Sequence, residues 1–208
     1  MGKEGTIDVD LIEPLWTAGW HAKETFAGLL ILSIVTFFTE IPGWVGAVGI
    51  LITFILPPVA VVYVWLNWKD VRDAGLDATR AGVSEVVELE GDNIERFSLI
   101  NKSRPGILLP PREFFVTTLL VEDNLLLAHS DATIDIPGLA WKVGDSTTEF
   151  YYDQVTNINY EPADDDDETG EFRINLSGGH GEAYKSTRKP DDALSEVQTR
   201  LRRYKQSD

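Results

Sequence analysis

The sequence predicts an α+β protein in which an N-terminal transmembrane helical hairpin precedes an antiparallel β domain of about seven strands, closed by a C-terminal amphipathic helix. Three observations predict this class. Between residues 26 and 66 the only formally charged residue is Glu40. From about residue 92 the apolar residues recur with a period of two, and β-branched and aromatic residues are enriched, as in strands. After Pro190 the apolar spacing changes to three and four residues, which is typical of one face of a helix.

The apolar stretch divides into two candidate membrane spans. Residues 44–66 are long enough by themselves, because a helix needs about 20 apolar residues to cross a hydrocarbon core of roughly 30 Å. Residues 26–39 are too short unless the helix begins near Trp20, with Lys23 and Glu24 reaching into the headgroup layer. Neither segment has the polar face of a core helix in a soluble protein, so the pattern favours two spans over a buried hairpin.

Tryptophans and turn residues mark the ends of these spans. An indole ring is stable between lipid and water, so we predict membrane-interface positions for five of the six tryptophans. These are Trp16, Trp20, Trp44, Trp65 and Trp68. The turn between the spans is predicted at Glu40, Pro42 and Gly43, since proline and glycine supply turn geometry. Glu40 is expected to be solvated there, and Pro57-Pro58 is expected to kink the second span.

The positions of Lys and Arg predict the orientation. Lys3 and Lys23 precede the first span, the turn carries no basic residue, and Lys69, Arg72 and Arg80 follow the second span. Because basic flanks stay in the cytoplasm, we expect a two-span protein of the cell membrane with both termini cytoplasmic. The chain then divides into an interfacial segment (1–22), a transmembrane hairpin (23–68), a juxtamembrane helix or linker (69–90) and a β domain (91–208).

Residues 69–90 are predicted to continue the second helix out of the membrane for several turns, with Gly75 and Gly82 as weak points. A faint apolar face in this segment consists of Val71, Leu76, Val83 and Val87. Candidate strands follow at 94–100, 113–121, 125–129, 133–136, 149–152, 155–160, 171–176 and 183–186. A C-terminal helix is predicted over 191–205, with acidic residues at its start and Arg200, Arg202, Arg203 and Lys205 at its end, which matches the helix dipole.

This order of elements resembles the bacterial-type pleckstrin-homology-like (PH-like) domain over about residues 85–204. Segments 114–130, 150–161 and 170–176 and the final helix carry the resemblance, and Tyr152-Asp153-Gln154-Val155 is similar to the family's aromatic-acid-x-Val/Ile strand. The resemblance implies a β-barrel or sandwich, often attached to one or two membrane spans in prokaryotic proteins, that binds or scaffolds without catalysis or cofactor. Phosphoinositide-binding members carry basic residues in the first hairpin, whereas 122–124 is acidic here, so such a headgroup is not an expected ligand.

Composition excludes several classes of function. A net charge of −16 argues against a nucleic-acid partner, which needs a basic face. The absence of cysteine excludes thiolate nucleophiles and thiolate metal sites. An even acidic coat with few lysines predicts a halophilic, haloarchaeal source. The acidic run 164–168 offers carboxylates for a hard cation, but its spacing favours a solvated hairpin tip, and the Gly-rich 178–182 favours a turn over a phosphate loop. We expect no catalytic, metal or cofactor site.

Two functions stay open. In the first, the hairpin anchors an interaction module that binds a protein partner or a second copy of itself at the cytoplasmic face. An extended peptide could pair with the sheet edge beside the C-terminal helix, although such edges are often covered. In the second, the chain is an accessory subunit whose spans make the main contacts in a larger membrane assembly. Gly43, Gly46 and Gly49 would permit close helix approach there.

Overall fold

The structure is a computed structural model and describes residues 2–39, 43–87, 94–163 and 169–207. It is an α+β fold, as the sequence predicted, and its described residues form one long apolar helix and two antiparallel sheets. The helices are α1 (Glu13–Trp20), α2 (Ala22–Phe37), α3 (Gly43–Val86) and α4 (Asp191–Ser207). The strands are β1 (Lys3–Thr6), β2 (Glu95–Lys102), β3 (Glu113–Val121), β4 (Leu125–Asp135), β5 (Ala140–Val143), β6 (Thr147–Tyr151), β7 (Val155–Glu161), β8 (Gly170–Leu176) and β9 (Gly181–Ser186).

Of the two predicted spans, one has the length and hydropathy of a membrane-spanning helix in the structure. In the described part of the chain only α3 is long and apolar enough to cross a membrane. It has 44 residues and continues as one helix through Pro57 and Pro58. By contrast α2 has 16 residues, about 24 Å at 1.5 Å per residue. The first segment does not extend back to Trp20 in one helix, because the chain leaves helical geometry at His21, where α1 ends and α2 begins.

α2 nevertheless lies against α3. The rings of Phe26 and Phe54 meet edge to face with centroids 5.7 Å apart. The hydroxyls of Ser33 and Thr53, both buried, are 3.2 Å apart and share a hydrogen bond. These contacts join the two apolar helices along their length and leave their other faces outward.

The predicted extension of the second helix is confirmed, since α3 runs on to Val86. Its faint apolar face (Val71, Leu76, Val83 and Val87) is buried against the larger sheet. Gly75 and Gly82 are contact points rather than weak points. A Cβ at Gly75 would lie 2.7 Å from Cγ2 of Ile134, and one at Gly82 would lie 2.7 Å from Cζ3 of Trp141. Without side chains at these positions, the helix packs directly on β4 and β5.

The described strands form two sheets and no closed barrel, so of the barrel or sandwich that the resemblance implied, the barrel is wrong. The described strands make one sheet of order β1-β5-β4-β3-β2, in which β6 also pairs with β4, and a second sheet of order β7-β8-β9. The physical reason lies in β4. Its first half pairs with β6 and its second half with β5, so the sheet branches near residues 130–131. The two short strands predicted at 125–129 and 133–136 are the two halves of this one strand.

Two paired strands were not predicted. β1 and β5 lie antiparallel, with Lys3 opposite Val143 and Thr6 opposite Ala140. Each has only four residues, and β1 (KEGT) contains no large apolar side chain, so neither shows the alternation that indicates a strand. Their pairing ties the N-terminus to the β domain.

α4 covers the second hydrophobic core. Its stripe of Ala193, Val197 and Leu201 is buried, as the helical spacing predicted. Tyr152 and Val155, which carry part of the family resemblance, are buried in the same core. The Tyr152 hydroxyl donates a hydrogen bond to the carbonyl of Glu122 at 3.1 Å. These residues therefore join α4 and both sheets.

Arg200 does more than complement the helix dipole. Its side chain is 3 % exposed, and its Nε donates to Oε1 of Glu196 at 2.6 Å. Its Nη1 donates to the carbonyl of Val121 at 3.0 Å, while carboxylates of Glu95 and Asp123 lie 3.5 Å from the guanidinium. The interpretation from the sequence, which treated Arg200 like the exposed Arg202 and Arg203, is corrected. Arg200 clamps α4 to the turn between β3 and β4.

His129 lies buried on β4, at the branch of the larger sheet. Its Nδ1 is hydrogen-bonded to the Thr147 hydroxyl at 2.9 Å, and its Nε2 has no hydrogen-bond partner among the described residues. Desolvation lowers the pKa of His129 below its ordinary value, and the carboxylates of Asp131 and Asp145 oppose this effect without reversing it. The folded protein therefore holds this imidazole neutral.

A pH dependence of stability follows. Since the unfolded chain binds a proton at His129 near pH 6.5 and the folded protein binds it only at lower pH, this group stabilises the fold fully above pH 6.5. Stability is lost as the pH falls from about 6.5 through the folded pKa, by at most about 1.4 kcal/mol per pH unit for one proton. We expect His129→Gln to flatten the fall in melting temperature between pH 7 and pH 5, measured by circular dichroism. His180→Gln, at an exposed turn, is the matched control for the loss of one imidazole. An unchanged slope in His129→Gln would contradict this assignment.

Candidate functional site

The exposed apolar side chains gather on α2 and α3. We call residues 30–38 and 44–66 the apolar belt. Within it Leu32 is 59 % exposed, Phe54 is 60 % exposed and Leu66 is 72 % exposed. Only 22 % of the most apolar part of α3 is buried, whereas the core helix of a soluble protein is mostly buried. So large a contiguous apolar surface is typical of contact with lipid or with another protein.

Tryptophans lie at both ends of the apolar part of α3. Trp44 is 69 % exposed and Trp65 is 48 % exposed. They are 21 positions apart, about 32 Å along a helix, which matches a hydrocarbon core of roughly 30 Å. Trp68, one turn further on, is half-buried and stacks on Phe114 of β3 with ring centroids 6.3 Å apart. The spacing agrees with interface positions for Trp44 and Trp65.

Trp16 and Trp20 require a correction, because both are buried in the protein. Their exposed fractions are 1 % and 5 %, and their rings meet edge to face with centroids 5.8 Å apart. Trp16 Nε1 donates a hydrogen bond to the carbonyl of Pro137 at 3.2 Å. The two residues dock α1 onto the larger sheet. Composition did not distinguish the two environments, since interface and core tryptophans both combine a large apolar ring with one donor.

The other residues singled out in the sequence do not come together in a binding or catalytic site within the described part of the chain. Glu40 and Pro42 of the predicted turn lie outside the described residues, and Gly43 begins α3. The acidic run 164–168 also lies outside them. The Gly-rich segment forms the turn between β8 and β9, with Gly179 at φ +77°, as the turn interpretation predicted. Among the described residues no group of three or more His, Asp or Glu side chains is placed to hold a metal ion.

The loop between β2 and β3 (103–112) lies at the domain end of the apolar belt. Trp65 Nε1 donates a hydrogen bond to the carbonyl of Leu108 at 2.8 Å. The side chains of Ile107 and Leu108 are solvent-exposed at the tip of this loop. Residues 102–112 contain three cations and no carboxylate, which is unusual in a chain of net charge −16. An apolar tip between basic residues extends the belt onto the β domain.

A groove of about 660 Å³ opens beside this loop, between α3 and β2. One wall is aromatic and contains Trp65, Trp68 and Phe114. The rings of Trp65 and Trp68 meet edge to face with centroids 6.4 Å apart. The volume falls in the range of small-ligand sites, about 300–1,000 Å³.

The other wall of this groove is basic. Four cations, contributed by α3, the end of β2 and the connection from β9 to α4, face one carboxylate, that of Asp73. The cations are Arg72, Lys102, Arg188 and Lys189. Arg72 also lies over the Trp68 ring, 5.4 Å from its centroid, which links the basic and aromatic walls. We call this the basic groove; sequence reasoning did not find it, because its residues come from three separate segments.

The edge of β7 beside the C-terminal helix is partly covered. Gln198 Nε2 donates to the carbonyl of Ile158 at 2.8 Å, and Lys205 Nζ lies 3.5 Å from the carbonyl of Thr156. Side chains of α4 thus occupy acceptors that an added peptide strand would need. The geometry favours the covered-edge alternative for this position.

No protein-family model matches the chain, and no curated protein is significantly similar to it. Function is therefore inferred from the apolar belt and the basic groove themselves.

Proposed function

We propose that this protein is a membrane-anchored interaction module in which two helices hold a PH-like domain at the cytoplasmic face of the cell membrane. The observation that carries the proposal is the apolar belt. Its exposed side chains lie on α2 and on the first half of α3, and at Trp65 the β2–β3 loop of the β domain begins to contact α3. In water such a surface would expose many large apolar side chains, whereas lipid would cover them.

The pairing of β1 with β5 supports an even number of membrane crossings. This pairing and the docking of Trp16 on Pro137 place the N-terminus beside the domain that follows α3. A single crossing by α3 would put these two parts on opposite sides. In our proposal α2 therefore crosses as well, and its shortfall from roughly 30 Å is of a size that local bilayer thinning accommodates.

The basic residues support the cytoplasmic orientation. Arg72, Lys102, Arg104, Arg188 and Lys189 all lie at the end of the domain that adjoins the belt. Lys and Arg next to membrane spans are retained in the cytoplasm. The remaining surface is strongly acidic, which agrees with a halophilic source.

The order of the strands and of α4 supports the PH-like interpretation of the domain. β2, β3, β4 and β6 form one antiparallel layer, β7 to β9 form the second, and α4 packs across both. In our proposal this domain binds a protein partner or a second copy of the chain and performs no catalysis, without a cofactor.

The alternative is an accessory subunit whose helices pack into a larger membrane assembly. The exposed face of the belt would suit such packing as well as it suits lipid. The glycines of α3 give this alternative little support, because Gly49 already faces Ser33 of α2 within the same chain. Co-purification of a second membrane protein that is lost when residues 22–66 are replaced by an unrelated two-span hairpin would favour this alternative.

Cysteine labelling tests the anchor, because the natural chain contains no cysteine. Thr39→Cys lies between α2 and α3, and Ser177→Cys lies in the exposed turn after β8. In right-side-out vesicles we expect a membrane-impermeant maleimide to label Thr39→Cys and to leave Ser177→Cys unlabelled until the membrane is opened by detergent.

Three outcomes would contradict the proposal. Labelling of both positions in sealed vesicles would mean that α3 does not cross the membrane, and labelling of Ser177→Cys alone would mean that the domain is outside. Extraction of the protein by alkaline carbonate would mean that the belt is not embedded in lipid.

A further inference from the structure

We propose that the basic groove binds the headgroup of an anionic phospholipid whose acyl chains lie along the apolar belt. This inference rests on the proposed membrane anchor and adds a ligand to it. The site is formed by α3 together with the β domain, and it lies away from the acidic turn between β3 and β4.

The charge of the groove's lining favours an anionic ligand. Four cations and one carboxylate line the groove, for a net charge of +3 in a chain of net charge −16. Four of the 18 basic residues of the chain therefore line one groove, where they outnumber the carboxylates. Such a concentration favours a phosphate-bearing ligand, because guanidinium and ammonium groups give phosphate oxygens charge-assisted hydrogen bonds.

The cations are available to a ligand. Arg72 is paired with Asp73, its neighbour in sequence, and Lys189 with Asp191, both of them solvent-exposed carboxylates. Exposed pairs of this kind contribute little to stability, so a phosphate can replace the carboxylate. Lys102 and Arg188 form no ion pair with any residue that the structure describes.

Position decides between a lipid and a small soluble anion. The aromatic wall includes Trp65, which ends the apolar belt and is hydrogen-bonded to the β2–β3 loop. Ile107 and Leu108 at the tip of that loop are exposed and apolar, so they extend the apolar surface of the belt. A ligand in the groove thus has its phosphate among cations and its other end against surface that suits acyl chains. A phospholipid has both parts, whereas a free phosphate or sugar phosphate has only the first.

Binding would join the anchor to the domain. Arg72 and Trp68 belong to α3, Lys102 ends β2, and Arg188 precedes α4. A single phosphate bound among these cations would bridge the three segments. We therefore expect the phospholipid to fix the β domain against α3 and to raise the stability of the whole chain.

Native mass spectrometry of the full-length protein in detergent tests this proposal, with phosphatidylglycerol as the anionic probe and phosphatidylcholine as the neutral one. The groove variant carries Arg72→Gln, Lys102→Gln and Arg188→Gln. The matched control carries Lys185→Gln, Arg202→Gln and Arg203→Gln, which are exposed positions on the domain and change the net charge equally.

We expect the wild type and the control to bind one phosphatidylglycerol in preference to phosphatidylcholine. The groove variant should bind it at least about 10-fold more weakly, since each cation near anionic lipid contributes measurably to affinity. Equal losses in both variants, or none in either, would overturn the proposal. Displacement of the lipid by millimolar glycerol phosphate would also overturn it, because the acyl chains would then not matter.

The anchor is tested separately in the same proteins. Thr39→Cys and Ser177→Cys, introduced into the groove variant, should keep their wild-type labelling pattern. If the groove variant keeps the wild-type labelling pattern and also binds lipid as the wild type does, the lipid site is refuted and the anchor is supported. If the protein without the groove substitutions does not show the expected labelling of Thr39→Cys alone, the anchor is refuted, and the lipid site with it. Matching circular dichroism melting curves of the two triple variants would exclude unfolding as the cause of lost binding.

Discussion

Replacement of Trp16 by alanine is expected to lower the free energy of unfolding by about 3–5 kcal/mol, the usual range for deleting a buried tryptophan. Trp16 is 1 % exposed and packs against Trp20. Its loss removes the largest fully buried side chain, leaves a cavity between α1 and the larger sheet, and leaves the carbonyl of Pro137 without the indole donor. For a chain of this length the melting temperature should fall by about 6–20 °C.

Trp44→Ala is the matched control, since Trp44 is 69 % exposed at the opposite end of the apolar belt. In detergent its melting temperature should stay close to that of the wild type, because a surface substitution usually changes stability by no more than about 0.5 kcal/mol. Both variants would be followed by circular dichroism of the full-length protein. If Trp16→Ala melts like Trp44→Ala, the burial of Trp16 is refuted and an interface position for both tryptophans is restored.

The helices and most strands were predictable because their signal is local. β3, at Glu113–Val121, was predicted with its observed bounds, and α4 starts at the predicted residue, Asp191. Even the faint face of Val71 and Val83 was sufficient to extend α3 beyond the apolar belt. In each case the period of apolar residues reports the burial of one face, whatever the partner is.

The topology of the domain was not predictable, because it depends on partners distant in sequence. β1 has no apolar alternation and is a strand only because β5, more than 130 residues later, pairs with it. The branch in β4 follows from which strands lie beside its two halves. The resemblance implied a barrel or a sandwich without deciding between them, because a resemblance in element order does not specify strand pairing.

Of the candidate site, too, one part was predictable from the sequence and the other was not. Hydropathy located the apolar belt to within a few residues. The basic groove joins residues from α3, β2 and the connection between β9 and α4, and no window of sequence contains them together. The overall net charge of −16 even argued against a basic site, since an average conceals a local cluster of cations. Charge clusters of this kind are found from the three-dimensional arrangement.

Replacement of Arg200 by methionine is expected to cost about 3 kcal/mol and to release the C-terminal helix first. Breaking a buried ion pair by removing one partner is destabilising because the groups left behind lose their counter-charge. Here Glu196 and the carbonyl of Val121 lose direct donors. The lower end of the usual range applies, because Glu95 and Asp123 are well enough exposed for water to solvate them.

Arg203→Met is the control on the same helix, since Arg203 is exposed and its replacement should change stability by no more than about 0.5 kcal/mol. Arg200→Lys should recover only part of the loss, because an ammonium group lacks the planar fork that reaches Glu196 and Val121 together. Hydrogen exchange of the full-length protein should show faster exchange in residues 191–207 of Arg200→Met before other segments change. Equal stability of Arg200→Met and Arg203→Met would show that α4 is held by its apolar stripe alone. In that case the four carboxylate and carbonyl groups around Arg200 would contribute no net stability, and the second core would depend on Val197 and Leu201.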